Sequence, residues 1–111
     1  MATRAKGRGS GREVTVSVSG EVDAANAKHF AHSVREAAGL CATLILDLTE
    51  VHFMAFDGAS ALYALSAHFG REGVSWCVVG SSSVGRVLEL CDPEGLIPLA
   101  EVATIRGVEP A

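Results

Sequence analysis

The chain predicts a single α/β domain built on a small, largely parallel sheet. Short runs with apolar residues at every second position recur along it, and segments with helical apolar spacing fall between those runs. The two kinds of segment alternate in the order strand, helix, strand, helix, strand, helix, strand, which calls for parallel strands joined by right-handed helical crossovers. At 111 residues the chain has room for one core, and no internal repeat or second domain is visible.

Residues 1–12, MATRAKGRGSGR, read as a flexible basic arm of Gly, Ser and cations. The domain is expected over residues 13–104, with 105–111 as a C-terminal tail. VTVSVSG, Val14 to Gly20, alternates apolar and small polar residues, as a half-buried strand does. In EVDAANAKHFAHSVREAAG, Ala27, Phe30, Val34 and Ala37 form one helical stripe, Asp23 suits the N-cap or first turn, and Gly39 is a stop. TLILDL, Thr43 to Leu48, is a continuous apolar run suited to a central strand, interrupted by Asp47. GASALYALSAHFG carries a second stripe at Leu62, Leu65 and Phe69, with Gly70 near its end. VSWCVVG, Val74 to Gly80, is a third strand. SSSVGRVLELCD supplies Ser caps and then a helix with Val84, Val87, Leu88 and Cys91 on one face. LIPLAEV is a short last strand that Pro98 assigns to an edge.

Composition narrows the function. The chain is 49% hydrophobic and 20% charged, which is globular and neither disordered nor fibrous. Its net charge is −4, yet Arg4, Lys6, Arg8 and Arg12 give the arm +4 with no acid, leaving −8 on the body. An acidic body argues against a nucleic-acid-binding face. No apolar run reaches the ~20 residues of a membrane helix, and the basic start has no apolar segment behind it to make a secretory signal. Three cysteines without C-x-x-C spacing fit neither a disulfide framework nor a zinc site and suit a reducing cytoplasm.

Standard catalytic signatures are absent: no phosphate loop, no dinucleotide fingerprint, no nucleophile elbow. His29 and His32 have metal-compatible spacing but no acid or thiol close in sequence to complete a set. Cys41, Cys77 and Cys91 read as small hydrophobes, and a redox role would require an accessible thiol of low pKa. Neither a cofactor nor a metal is expected, and no residue is assigned a catalytic role. What remains is the strand ends, since loops following parallel strands gather at one edge of the sheet and sites form there. Three junctions qualify: Gly20 to Asp23, Ala55 to Gly58, and Ser81 to Ser83. Asp57 is the group that stands out. A carboxylate at a helix start can accept backbone N–H bonds and is favoured by the macrodipole.

In their order and spacing these segments resemble the STAS domain family, and in particular its anti-sigma-factor antagonists. GEVDAANA is similar to the family's first turn, LILDLTEVHFM to its central strand, GASALYAL to the next helix, GVSWCVVG to the following strand, and VGRVLELCDPEGLIPL to the last helix and terminal segment. The resemblance implies a small mixed, mostly parallel sheet with helices packed on one face and no enzymatic activity. It also implies a partner, an anti-sigma factor of the serine-kinase type that phosphorylates a Ser or Thr at the start of the second helix, and a phosphatase that reverses the switch. With Gly58 and Leu62 as anchors, that acceptor position falls on Asp57, and the residue before it is Phe56. The expected partner-binding residues are therefore Asp23, Phe56, Asp57, Gly58 and Ser60, with Asp57 a fixed charge where a switchable hydroxyl is usual. Two features depart from the family: the arm stands where a first strand is common, and the tail is too short for a final helix. The sheet edge is then thinly covered, which leaves a place for another STAS protein or for a second copy of the chain as a homodimer. Loss of the acceptor also fits an accessory subunit of a transporter or other signalling complex, and the cysteines admit a redox-responsive antagonist.

Overall fold

The computed structural model describes residues 1–8 and 12–102, as five strands and three helices. In chain order these are β1 (Ala2–Arg8), β2 (Glu13–Val22), α1 (Ala27–Ala38), β3 (Thr43–Met54), α2 (Phe56–Glu72), β4 (Ser75–Gly80), α3 (Ser82–Cys91) and β5 (Leu99–Val102). The strands lie side by side in sequence order, β1 antiparallel to β2 and every later pair parallel. This order decides where the helices go. Each parallel crossover is right-handed, and each advances in the same direction across the sheet, so all three helices fall on one face. There α1 packs on α2, and α2 on α3. The expected small mixed sheet with one covered face is the observed architecture.

The period-two pattern accounts for the core. Val16 and Val18 from β2, Leu44, Leu46 and Leu48 from β3, and Val78 from β4 turn toward the helices and are essentially inaccessible. They meet Phe30 and Val34 of α1, Leu62, Leu65 and Phe69 of α2, and Val84 and Leu88 of α3, the stripes expected of those helices. Each such side chain contributes about 1.5–3 kcal/mol on burial. Asp47, which interrupts the apolar run of β3, occupies the alternate parity and faces away from the helices. Its Oδ1 accepts from the Thr49 N–H (2.9 Å) and hydroxyl (2.6 Å) two residues on. Gly39 ends α1 at φ +59°, a conformation that costs glycine little, and α2 ends at Gly73, φ +70°, three residues beyond Gly70, which lies near the helix end as expected.

The N-terminal region is where the structure corrects the sequence reading. Ala2–Arg8 do not form a free arm but strand β1, in continuous register with β2 from Ala2 opposite Ser19 to Arg8 opposite Glu13. Its charges and glycines resemble a solvated tail. They are equally the composition of an edge strand that keeps cations on its open side, and only the free backbone edge of β2 selects between the two. The strand thought to be missing before Val14 is therefore present and covers that edge of β2. Of the C-terminal readings, β5 is an edge strand as expected, whereas the tail at 105–111 and the domain's end at 103–104 lie outside the described residues.

Two close arrangements fix the elements around the strand ends. Gly58, in the first turn of α2, lies so near Met54 that a Cβ there would come within 2.6 Å of Met54 Cγ. A glycine lets α2 rise directly from the end of β3. At the far side of α2, the nearly buried Asp92 joins three elements. Its carboxylate accepts from the Tyr63 hydroxyl (2.7 Å) and from the N–H groups of Leu96 (2.9 Å) and Ile97 (2.8 Å), tying α2 to the turn between α3 and β5. Burial alone would raise the Asp92 pKa. The Ile97, Tyr63 and Leu96 hydrogen bonds outweigh it, and the carboxyl sits below its ordinary value. Tyr63 responds in the opposite sense. Its hydrogen bond to the carboxylate, then burial, then the carboxylate's charge push it up to about 12.

Asp92→Asn should destabilise the fold by about 1–3 kcal/mol, since one of the oxygens is replaced by a donor facing donors. Both shifts also give pH dependence. The lowered Asp92 value adds stability above the unfolded pKa that is lost as pH falls through the folded one. The raised Tyr63 value adds stability below the unfolded pKa that is lost as pH rises toward about 12. Urea denaturation across pH should show both flanks, and Tyr63→Phe should remove the alkaline one and weaken the acid one. A separate expectation concerns Gly58→Ala, which should cost about 1–3 kcal/mol by overpacking against Met54. Combined with Met54→Ala, the loss should fall short of the sum of the two single losses, as read in a double-mutant cycle.

Candidate functional site

The ends of β2 and β3 are held together by a hydrogen bond from Ala55 N–H to the Val22 carbonyl (2.8 Å). That bond places the turn leading into α1 beside the start of α2. The first turn is organised by a reciprocal pair that the sequence reading missed. Asp23 Oδ1 accepts from the Ala25 and Asn26 N–H groups (3.0 and 3.1 Å), while Asn26 Oδ1 accepts from the Asp23 N–H (2.9 Å). The Asn26 amide also donates to the Glu21 carbonyl (2.9 Å). The N-cap of α1 is therefore Asn26, and Asp23 stands three residues before it as the acceptor of an Asx turn. An acidic or amide side chain three residues from another, D-x-x-N, is the sequence signal that could have revealed this pair.

At the second junction the N-cap is Ala55, which has no side chain able to cap, and no side-chain cap bond is made. Asp57 is the acid of the first helical turn, its second residue. The capping role expected for it is not realised: its carboxylate is exposed and interacts with the helix through the macrodipole, worth about 0.3–1 kcal/mol at such a surface position. Phe56 is 62% exposed and does not pack under α1. Gly58 is buried against Met54, so its part in the site is to set the approach of α2 rather than to offer a surface. Ser60, one turn along from Asp57, is exposed on the same side of the helix.

Asp57 and Ser60 line one wall of a cleft of about 490 Å³ between α1 and α2. Ala24, Ala25, Ala27, Lys28 and Ala31 form the facing wall, with Ala61 and Ala64 beside Ser60. The small side chains leave the two helices parted at their N-terminal ends. Lys28 brings a cation to the same cleft, a residue that the sequence reading did not single out. Of the five expected site residues, Asp57 and Ser60 thus meet at the cleft. Asp23 organises the turn at its mouth, Phe56 stands exposed beside Asp57, and Gly58 lies beneath.

The third junction turns another way. Ser81 caps α3, accepting from the Val84 N–H (3.3 Å), and donates to the Val51 carbonyl (2.7 Å), while Ser83 donates to the His52 carbonyl (2.6 Å). These hydroxyls brace the stretch of β3 that runs on past its pairing with β4. Their bonds are spent on structure. His29 lies within 3.4 Å of the Ser33 hydroxyl, and His68 packs edge-on against Phe69. Among the described residues no group of three metal-ligating side chains converges. Cys41 is buried, and burial pushes its thiol pKa up, which opposes formation of the reactive thiolate. Cys77 and Cys91 are half-buried. No described helix is long and apolar enough to cross a membrane.

Comparison with known proteins agrees with this fold. Osmosensory protein A of Mycobacterium tuberculosis is 33% identical over 89 residues, a match spanning 77% of this chain and 56% of that protein, so the chain corresponds to about half of that relative's length. The crystal structure of an anti-sigma factor antagonist from Mycobacterium paratuberculosis superposes with a TM-score of 0.71 at 25% identity, over 88% of this chain and 85% of that one. The murine Solute Carrier 26 family member A9 anion transporter contains a similar fold, with a TM-score of 0.62 at 25% identity over 70% of this chain and 14% of that one. The STAS domain family model covers residues 5–103, and with the sheet order and one-sided helices described above it makes this chain a member of the STAS domain family.

Proposed function

We propose that this chain is a non-enzymatic protein-binding module of the anti-sigma-factor-antagonist type. In this reading it docks an anti-sigma factor of the serine-kinase type on the surface formed by the β2–α1 turn and the start of α2. The observation that carries the proposal is Asp57: a carboxylate exposed at the second position of α2, unspent on capping, on the wall of the α1/α2 cleft. Likeness to the Mycobacterium paratuberculosis antagonist over most of both chains supports the partner class.

Asp57 then acts as a fixed charge in place of a switchable hydroxyl. It supplies one negative charge where a phosphoserine would supply about 1.5–2, and it has fewer acceptor oxygens. A helix start is a favourable place for either anion. A kinase acting on a hydroxyl at this position has no acceptor, so the complex is set by whether the partner's facing surface offers a cation or an apolar contact. Phe56, exposed beside Asp57, serves as an apolar anchor, and Ser60 and the Asp23 turn complete the contact. A second reading, a STAS subunit of a transporter or other signalling complex, is favoured by the similar fold within the murine anion transporter. Affinity capture separates them, retaining an anti-sigma kinase in the first case and a transporter component in the second.

Incubation with a cognate kinase and ATP should leave position 57 unmodified by mass spectrometry, whereas Asp57→Ser should take up phosphate. A folded Asp57→Ser chain that stays unmodified by a kinase active on another antagonist would overturn the assignment of the acceptor position. Asp57→Ser and Asp57→Ala should both change affinity for the partner in the same direction by about tenfold, roughly 1.4 kcal/mol. Each should alter folding stability by less than about 1 kcal/mol, since the charge makes only a macrodipole interaction. Equal binding by all three chains would remove Asp57 from the interface.

A further inference from the structure

The sheet face opposite the helices carries a second arrangement of polar groups, remote in the fold from the α1/α2 cleft. Along β2, Val16 and Val18 enter the core, so Thr15 and Ser17 turn to the open face. The pairing of β1 with β2 sets Arg4 opposite Ser17 and Lys6 opposite Thr15. Directly opposed residues of an antiparallel pair share a face with Cα atoms about 4.5–5.5 Å apart, and alternate residues of one strand follow at about 6.8 Å. Two cations and two hydroxyls therefore occupy one patch of roughly 7 by 5 Å. Together with Ala5 they line a shallow groove of about 330 Å³.

The charges of this patch are uncompensated on their own strand, since residues 1–12 contain no acid. Arg4 and Lys6 stand on the same side of one strand and repel each other unless an anion lies between them. Asp47 adjoins Ser17 across the β2–β3 pairing and places one carboxylate on the same face, its Oδ1 accepting from the Thr49 N–H and hydroxyl on its own strand; Arg4 and Lys6 stand one strand further out, at the β1 edge. Glu13 shares the face at the start of β2, opposite Arg8 in the register. The donor set is specific in kind. A guanidinium fork, an ammonium and two hydroxyls offer more donors than a carboxylate can accept, and they match the charge of about −1.5 to −2 and the several oxygens of a phosphate.

We propose that Arg4, Lys6, Thr15 and Ser17 form a binding site on the open sheet face for a phosphate dianion, either free or as a phosphomonoester headgroup. Arg4 and Lys6 supply the charge, and Thr15 and Ser17 donate to the inner oxygens and fix the anion over the β1–β2 pair. The site lies on the other side of the sheet from Asp57, so the antagonist reading can fail without affecting it.

The test is a titration of the full chain with sodium phosphate, followed by amide NMR, with sodium chloride at matched ionic strength as the control. In parallel, the chain is sedimented with phosphatidylcholine vesicles with and without phosphatidic acid. Saturable shifts should centre on Arg4, Lys6, Thr15 and Ser17. Removing two charged donors in R4Q/K6Q should weaken binding at least about tenfold, and removing the two neutral donors in T15V/S17A should weaken it less. Asp57→Ser should bind phosphate as the wild type does. Shifts with free phosphate but no sedimentation assign a soluble ligand, and sedimentation with phosphatidic acid that R4Q/K6Q abolishes assigns a lipid headgroup. The proposal is overturned if neither probe binds, if chloride reproduces the shifts, or if a folded R4Q/K6Q chain binds as the wild type does. Should R4Q/K6Q fail to fold, K6Q and T15V/S17A decide the matter, and unchanged phosphate binding in both overturns it.

Discussion

The length of β3 is the constraint on which the rest of this structure depends. Its first half pairs on both sides, with β2 and with β4, and anchors the core through Leu44, Leu46 and Leu48. Its second half runs on to Met54, past the end of β4, held by β2 on one side and by the Ser81 and Ser83 hydroxyls on the other. Backbone carbonyls at Val51 and His52 that would otherwise lack a strand partner are satisfied by those side chains. Because β3 is carried so far, α2 begins at the level where β2 also ends, and the Ala55 to Val22 hydrogen bond closes the two together. The α1/α2 cleft and the exposed Asp57 follow from that closure.

The same extension explains the division of labour among polar groups. Residues near the strand ends either complete the backbone or face outward unspent. Asp23 and Asn26 bind each other's backbone, Ser81 and Ser83 secure β3, and Asp92 gathers Tyr63 and two N–H groups. Asp57 is different. At the N-cap position Ala55 offers the helix only its backbone carbonyl, to the Gly58 N–H (2.8 Å), yet the acid two residues on does not supply the missing side-chain cap. A chain under pressure for stability alone would place Ser, Thr or Asp at position 55, worth about 1 kcal/mol. The start of α2 thus retains a weak cap and an uncommitted charge, which is the arrangement expected where a surface serves recognition.

Sheet topology gives the molecule two unlike faces. Sequential strand order with right-handed crossovers commits every helix to one side, and the other side remains a layer of half-buried Thr, Ser, Ile, Cys and Val, interrupted by the acids Glu13 and Asp47, with cations at the β1 edge. On the covered side, chemistry is possible only where helices part. On the open side it is set by register alone, because each residue's neighbours are fixed by strand pairing rather than by helix packing. The acidic body and the basic β1 are thereby placed at different parts of a small domain, and each can meet a partner of its own kind.

Periodicity alone was enough to locate β2, the first half of β3 as far as Leu48, β4 and the three helices, because apolar spacing directly encodes which side of an element is buried; the continuation of β3 to Met54 was not read from it. It was also enough to put Leu62, Leu65 and Phe69 in the core and Gly39 at a helix end. The position of Asp57 at a helix start was legible for the same reason. What stayed hidden were features that exist only between segments distant in the chain. β1 looks like a tail until the edge of β2 offers it a partner. Asp57 looks like a cap until the backbone places Ala55 there instead. Met54 gives Gly58 its reason, and Tyr63 gives Asp92 its own, across 29 residues of sequence. Local pattern fixes what each segment buries, whereas pairing, capping and cleft formation are decided by which free backbone edges and side chains the tertiary fold brings within hydrogen-bonding reach.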